Sequence, residues 1–231
     1  MRAARRDFRD KQQLADALAA DVAATLKAAI EGRGFAALAV SGGSTPARFF
    51  QALSMHDDVE WGKVIVTLVD ERWVDETSDR SNARLVKTNL LQGPAAAAQF
   101  LPLYQGGAAP DAIGILKANK TLGVLPELDV VLLGMGNDGH TASFFPGGDT
   151  LAEALTAPGP AIAISAPGAG EPRITLTLKR LLNAKALVLH IEGEEKARVL
   201  QEAEAEGPVE DMPVRAILRQ SQTPLTIYWC P

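Results

Sequence analysis

Asp138 and His140 stand two residues apart in a glycine-rich run, directly after four consecutive apolar side chains, Val130, Val131, Leu132 and Leu133. A carboxylate beside an imidazole can activate water. The neutral ring takes a proton, and the acid orients the ring and stabilises the imidazolium that forms. The apolar run reads as a buried strand, so it delivers the pair to a turn at its carboxyl end, where open α/β sheets place their chemistry. Asp70, Glu71 and Arg72 follow a second apolar run, Val64–Val69. Such groups can hold substrate hydroxyls and a carbonyl oxygen. They are equally readable as a solvated turn with a local ion pair.

The stretch Ser41-Gly42-Gly43-Ser44-Thr45-Pro46 lies between a short strand and a helical pattern. Backbone N–H groups of Gly42, Gly43, Ser44 and Thr45 can converge on an anion, aided by the following helix dipole and the two hydroxyls. A tight turn with a helix cap is the other reading. The G-K-[ST] ending of a Walker loop is missing, so the cradle suits one phosphate group and not a nucleoside triphosphate. Arg173 and Lys196 are either surface charges or phosphate grips. His56, beside Asp57 and Asp58, reads as solvated, and His190, at a strand end, as structural.

Gly134, Gly136 and Gly139 formally complete the dinucleotide fingerprint G-x-G-x-x-G. That fingerprint needs a long helix opening at the glycines and an acid at the end of the next strand. Here SFFPGG follows His140 and breaks a long helix early. The next strand, Ala161–Ser165, is followed by Ala166 and Pro167. The glycines instead permit close approach of a small substrate to the backbone.

Several elements must position these groups. Leu14, Leu18, Val22, Leu26 and Ile30 form a helical stripe closed by Gly32 and Gly34. Strands are predicted at Phe35–Val40, Val64–Val69, near Phe100–Leu103, at Ala161–Ser165, at Ala186–Ile191 and at Leu225–Trp229. Helices are predicted after Pro46, from Ser81 to about Leu91, after Pro110, at Glu194–Ala205 and at Val214–Arg219. The segment Ile174–Leu182 is ambiguous, since RITLT alternates and LKRLL does not. This alternation predicts an α/β fold, a three-layer sandwich whose mostly parallel, Rossmann-like central sheet is flanked by helices. One domain over residues 1–231 is expected, with no linker or repeat.

The 231 residues carry a net charge of −5 and are 47% hydrophobic. No basic stripe suggests nucleic acid as a partner. The start of the chain is charged with no apolar stretch behind it, so no secretory signal is expected, and no run of about 18 apolar residues occurs, so no membrane span is expected. The lone Cys230 makes no internal disulfide and fits a reducing, cytoplasmic setting. Composition is silent on oligomeric state.

These segments, in this order, resemble the 6-phosphogluconolactonase family, within the wider glucosamine-6-phosphate isomerase/deaminase superfamily. SGGSTP at 41–46 looks like its phosphate loop. DERWV at 70–74 and SNARL at 81–85 look like its second and third signatures. GMGNDGHTASFFP at 134–146 looks like the active-site signature, and RITLT at 173–177 like the next. The resemblance implies hydrolysis of the sugar phosphate lactone 6-phospho-D-glucono-1,5-lactone in the oxidative pentose phosphate pathway, with no metal and no organic cofactor. His140 would then be the base that takes a proton from water, with Asp138 orienting it. Arg72 would polarise the carbonyl or hold the oxyanion, and Asp70 would bind hydroxyls. The loop, with Arg173 and Lys196, would anchor the 6-phosphate. The deaminase branch reads G-x-G-x-D-G-H-I-A-F-N-E-P in the same place, and Phe145 stands at its glutamate, which counts against deamination. A non-catalytic sugar-phosphate sensor is a further alternative, but a regulator of that kind needs a DNA-binding module for which little chain remains.

Overall fold

A computed structural model of the chain describes residues 3–231. Met1 and Arg2, which open the charged N-terminal stretch, lie outside the described residues. In chain order the elements are β1 (Ala4–Asp7), α1 (Lys11–Arg33), β2 (Ala36–Val40), α2 (Ala47–Ser54), β3 (Val64–Leu68), β4 (Asp70–Arg72), α3 (Asn82–Asn89), β5 (Gln99–Leu101) and α4 (Ala112–Leu122). They continue as β6 (Leu128–Leu133), α5 (Leu151–Thr156), β7 (Ala161–Ile164), β8 (Arg173–Leu176), α6 (Leu178–Leu182), β9 (Ala184–Glu192), α7 (Glu194–Glu204), α8 (Val214–Arg219) and β10 (Leu225–Cys230).

The apolar stripe of α1 is buried along its length. Asp10 caps its start by accepting the Gln13 N–H at 2.8 Å, and Gly34 ends it by donating to Ile30 O at 2.8 Å. Gly32, expected to help close the helix, lies inside it.

Seven strands form one sheet in the order β1-β10-β9-β6-β2-β3-β5, and every neighbouring pair is parallel. Parallel strands buried on both faces read as unbroken apolar runs, and β2 and β6 are buried at every residue. From β2 the chain lays β3 and β5 outward on one side. It then crosses back to lay β6, β9 and β10 on the other. The order therefore reverses between β2 and β6, which opens a crevice at the carboxyl ends of those two strands. At their amino ends the fully buried Asp129 accepts the Ala37 N–H at 2.8 Å and pairs with Arg33. The crevice is thus braced from below by a buried carboxylate that ties the two strands to the end of α1.

A second sheet was not legible beforehand. β4, β8 and β7 pair antiparallel in that order. Asp70–Arg72 is therefore a strand and not the solvated turn that its charges suggested. The ambiguous segment resolves into β8 and α6. The break falls at Thr177, whose hydroxyl accepts the Arg180 N–H at 3.2 Å. β1 also went unread, because its four residues are exposed and mostly charged. Charge on an edge strand protects it from pairing with other chains and hides it from a hydrophobicity reading. No helix among the described residues is long and apolar enough to cross a membrane.

Candidate active site

The loop after β6 holds His140 against Asp138. His140 Nδ1 lies 2.6 Å from Asp138 Oδ1, and the same oxygen accepts the His140 backbone N–H at 3.1 Å. Held to a carboxylate, Nδ1 carries the proton and Nε2 is left as the free acceptor. Gly136 makes this possible. A Cβ there would meet His140 Nδ1 at 2.1 Å and Asp138 Oδ1 at 2.5 Å. The second glycine of the apparent nucleotide fingerprint is thus space reserved for an imidazole and its carboxylate. Partial burial alone would raise the Asp138 carboxyl. The hydrogen bond and charge of His140 outweigh that and carry it below the usual range. The ring of His140 packs on Phe145, with centroids 4.3 Å apart.

The small sheet supplies the facing wall. Asp70 is buried, and its Oδ2 accepts the Ser143 hydroxyl at 2.5 Å and lies 3.6 Å from Arg173 Nη1. Its Oδ1 has no hydrogen bond among the described residues. Glu71 departs from the expectation that both acids of this strand serve a ligand. It is fully buried and accepts the N–H groups of Arg72, Asn82 and Ala83 and the Ser81 hydroxyl, so it anchors the start of α3. Burial pushes its carboxyl above the usual range despite those donors.

Arg72 and Arg173 face each other across β4 and β8. Each has a buried Nε with no hydrogen-bond partner among the described residues. Arg173 donates from Nη2 to Ala169 O at 2.7 Å, and its guanidinium lies 5.3 Å from the Phe145 centroid. Burial, together with the charge of Arg72, pulls the Arg173 guanidinium below its ordinary value, against the pull of Asp70. Like charges directly opposite on adjacent strands repel. Two such cations with unused donors have the chemistry to hold an anion.

Beyond β2, the N–H groups of residues 42–45 donate to no protein acceptor among the described residues, as an anion cradle requires. Gly42 is set by space, since a Cβ there would lie 1.8 Å from Asn82 Oδ1. Lys196, in the first turn of α7, reaches in from the β9 side and hydrogen-bonds Asn137 Oδ1. Burial lowers its ammonium, opposed by Glu195 and Asp138.

Every predicted site residue except Asp138 lines one cleft of about 240 Å³ at the β2/β6 crevice. Asp138 stands behind His140. His56 and His190 lie elsewhere. The former is 3.3 Å from Asp58 and partly exposed, and the latter is buried 3.2 Å from Glu192. Three residues that matter to the site were missed. These are Asn82, within the SNARL segment, and Asn137 and Ser143, within the GMGNDGHTASFFP segment. Nothing local in the sequence signals them, because their partners lie on other elements.

The fold and cleft define an α/β protein in which a His–Asp pair stands beside a loop of unpaired backbone N–H groups at the sheet's switch point. A family model described as glucosamine-6-phosphate isomerases/6-phosphogluconolactonase matches residues 9–229, and the chain belongs to that family. It is 54% identical over 226 residues to a 6-phosphogluconolactonase of Rhizobium meliloti (strain 1021), covering 97% of each chain. A 6-phosphogluconolactonase of Mesorhizobium japonicum is 52% identical over 231 residues, covering 97% of this chain and 94% of the relative. The crystal structure of a 6-phosphogluconolactonase from Shewanella baltica superposes with a TM-score of 0.97 at 41% identity, over 99% of this chain and 98% of that one.

Proposed function

We propose that this chain hydrolyses 6-phospho-D-glucono-1,5-lactone to 6-phospho-D-gluconate, acting as a single unit in the cytoplasm on a freely diffusing sugar phosphate. Its relatives' activity supports the reaction. The observation that carries the mechanism is the His140–Asp138 pair facing unpaired arginine donors across the cleft.

His140 Nε2 takes a proton from water as the water oxygen attacks the lactone carbonyl. The C–O double-bond electrons move to the carbonyl oxygen, and Arg72 stabilises that oxyanion. Collapse of the tetrahedral intermediate breaks the bond from C1 to the ring oxygen. The imidazolium, stabilised by Asp138, returns its proton to that oxygen. Asp70 Oδ1 accepts from substrate hydroxyls. The 42–45 loop, with Arg173 and Lys196, binds the 6-phosphate and positions the lactone for attack.

The test is acid release from freshly made lactone, corrected for spontaneous hydrolysis. Turnover well above background is expected, and its absence removes the reading. Glucosamine 6-phosphate is offered in parallel. Phe145 packs on the His140 ring at the position where the deaminase motif carries glutamate, so no ammonia is expected. Binding of 6-phosphogluconate without any turnover of lactone would instead revive the sensor reading.

A further inference from the structure

Arg72 is anchored through one nitrogen. Its Nη1 donates to Arg80 O at 2.8 Å and to Asn82 Oδ1 at 2.6 Å, while its Nε is buried without a partner among the described residues. A guanidinium clamped at Nη1 keeps its Nε–Nη2 edge for a ligand. A planar edge of two N–H groups is effective only when its direction is fixed.

Asn82 is fixed in turn. It is buried, its Nδ2 donates to Asp70 O at 2.9 Å, and its backbone N–H donates to Glu71 Oε1 at 2.8 Å. Its amide also fills the space a side chain at Gly42 would need. One buried amide therefore touches β4, the start of α3 and the anion loop. The residue type matters. Asparagine offers an acceptor to Arg72 and a donor to the Asp70 carbonyl from one planar group. Aspartate would lose the donor and set a negative charge in the cleft wall. An apolar side chain would serve neither partner.

We propose that Asn82 is a positioning residue that fixes the direction of Arg72 and couples it to the 41–46 loop. Its effect on rate rests on the lactone-hydrolysis reading, whereas the ordering of Arg72 does not.

Two measurements test this. The first is a double-mutant cycle of Asn82→Ala and Arg72→Ala, read as kcat/KM on fresh lactone. Asn82→Ala is expected to cost about 10- to 100-fold in the native background. In the Arg72→Ala background it is expected to cost less than about threefold, because a residue acting through Arg72 has nothing left to act on. Equal losses in both backgrounds would mean a general structural role and would overturn the proposal. If Asn82→Ala does not fold, Asn82→Ser, too short to reach Nη1, replaces it. The second is the ¹⁵N resonance of Arg72 Nε, identified by its loss in Arg72→Lys. It is expected to be resolved in the native protein and to merge with exposed arginines in the Asn82 variant. A signal that stays resolved would overturn the proposal whether or not the lactone is the substrate. Lack of turnover by the native protein would defeat the functional reading alone.

Discussion

At His140 the division of labour between the two ring nitrogens follows from one hydrogen bond, since Asp138 holds Nδ1 and leaves Nε2 to the cleft. Replacing the ring with a methyl group removes the proposed base but no phosphate contact. His140→Ala is therefore expected to lower kcat about 10²- to 10⁴-fold with little change in 6-phosphogluconate affinity. Steady-state kinetics on fresh lactone check this, and an unchanged kcat would take His140 out of the mechanism. The two cations proposed to anchor the phosphate should behave oppositely. Arg173→Ala and Lys196→Ala each remove a charged donor, at about 1.5–3 kcal/mol, or about 10- to 150-fold in affinity. A raised KM and weaker product binding by calorimetry are expected, and normal product binding would end the anchor assignment. Phe145 connects the two functions physically, because one ring lies under both His140 and Arg173.

Among the elements, the β2–α2 loop depends on its tight fit to Asn82. Gly42→Ala would drive a Cβ into the Asn82 amide. Overpacking of this sort costs about 1–3 kcal/mol, here placed directly on the loop proposed to bind phosphate. A lower melting temperature together with weaker 6-phosphogluconate binding is expected, from thermal melts and titration of one variant. A loop that absorbed the methyl group with neither change would show that Asn82 is free to move. What the sequence revealed of the elements follows from how each is buried. β6 and β2 are apolar at nearly every position because both sheet faces are covered, so they were legible. β4 was not. Its Asp70, Glu71 and Arg72 are charged yet paired in a sheet, and pairing partners some hundred residues away leave no local periodicity. Glu71 illustrates the cost of this blindness, since only the fold reveals that it caps α3 from inside the core.

For the whole molecule, the parallel order and its reversal between β2 and β6 gather residues from six separate stretches into one cleft. Their motif order was readable, but their distances were not. The loops leading out of β4 and into β8 are tied by Arg80 and Glu171, at 2.9 and 3.1 Å. The hydrogen bond from Arg80 brings the Glu171 carboxyl down to about 2 from 4.5. A carboxyl depressed on folding adds stability above its unfolded value and loses it as pH falls through the folded one. Glu171→Gln should thus be slightly less stable than the native chain near neutrality. The gap should close as pH falls from about 4.5 toward about 2. Both side chains are partly exposed, so the difference should be small and should shrink in high salt. Chemical denaturation across that range checks the sign, and a gap that widened in acid would contradict the pairing.

The facing arginines of β4 and β8 have one more consequence, which concerns endurance more than turnover. Two like charges on directly paired residues repel in the folded protein, and any oxyanion that settles between them offsets that repulsion in the folded state alone. Folding and occupancy are then linked, with about 2.7 kcal/mol of added stability when ligand stands at 100 times its dissociation constant. Inorganic phosphate, with no ester to cleave, should raise the melting temperature of this chain in a dose-dependent way, and the rise should be smaller in Arg173→Ala. The melting curve then serves as a gauge of how full the cleft is.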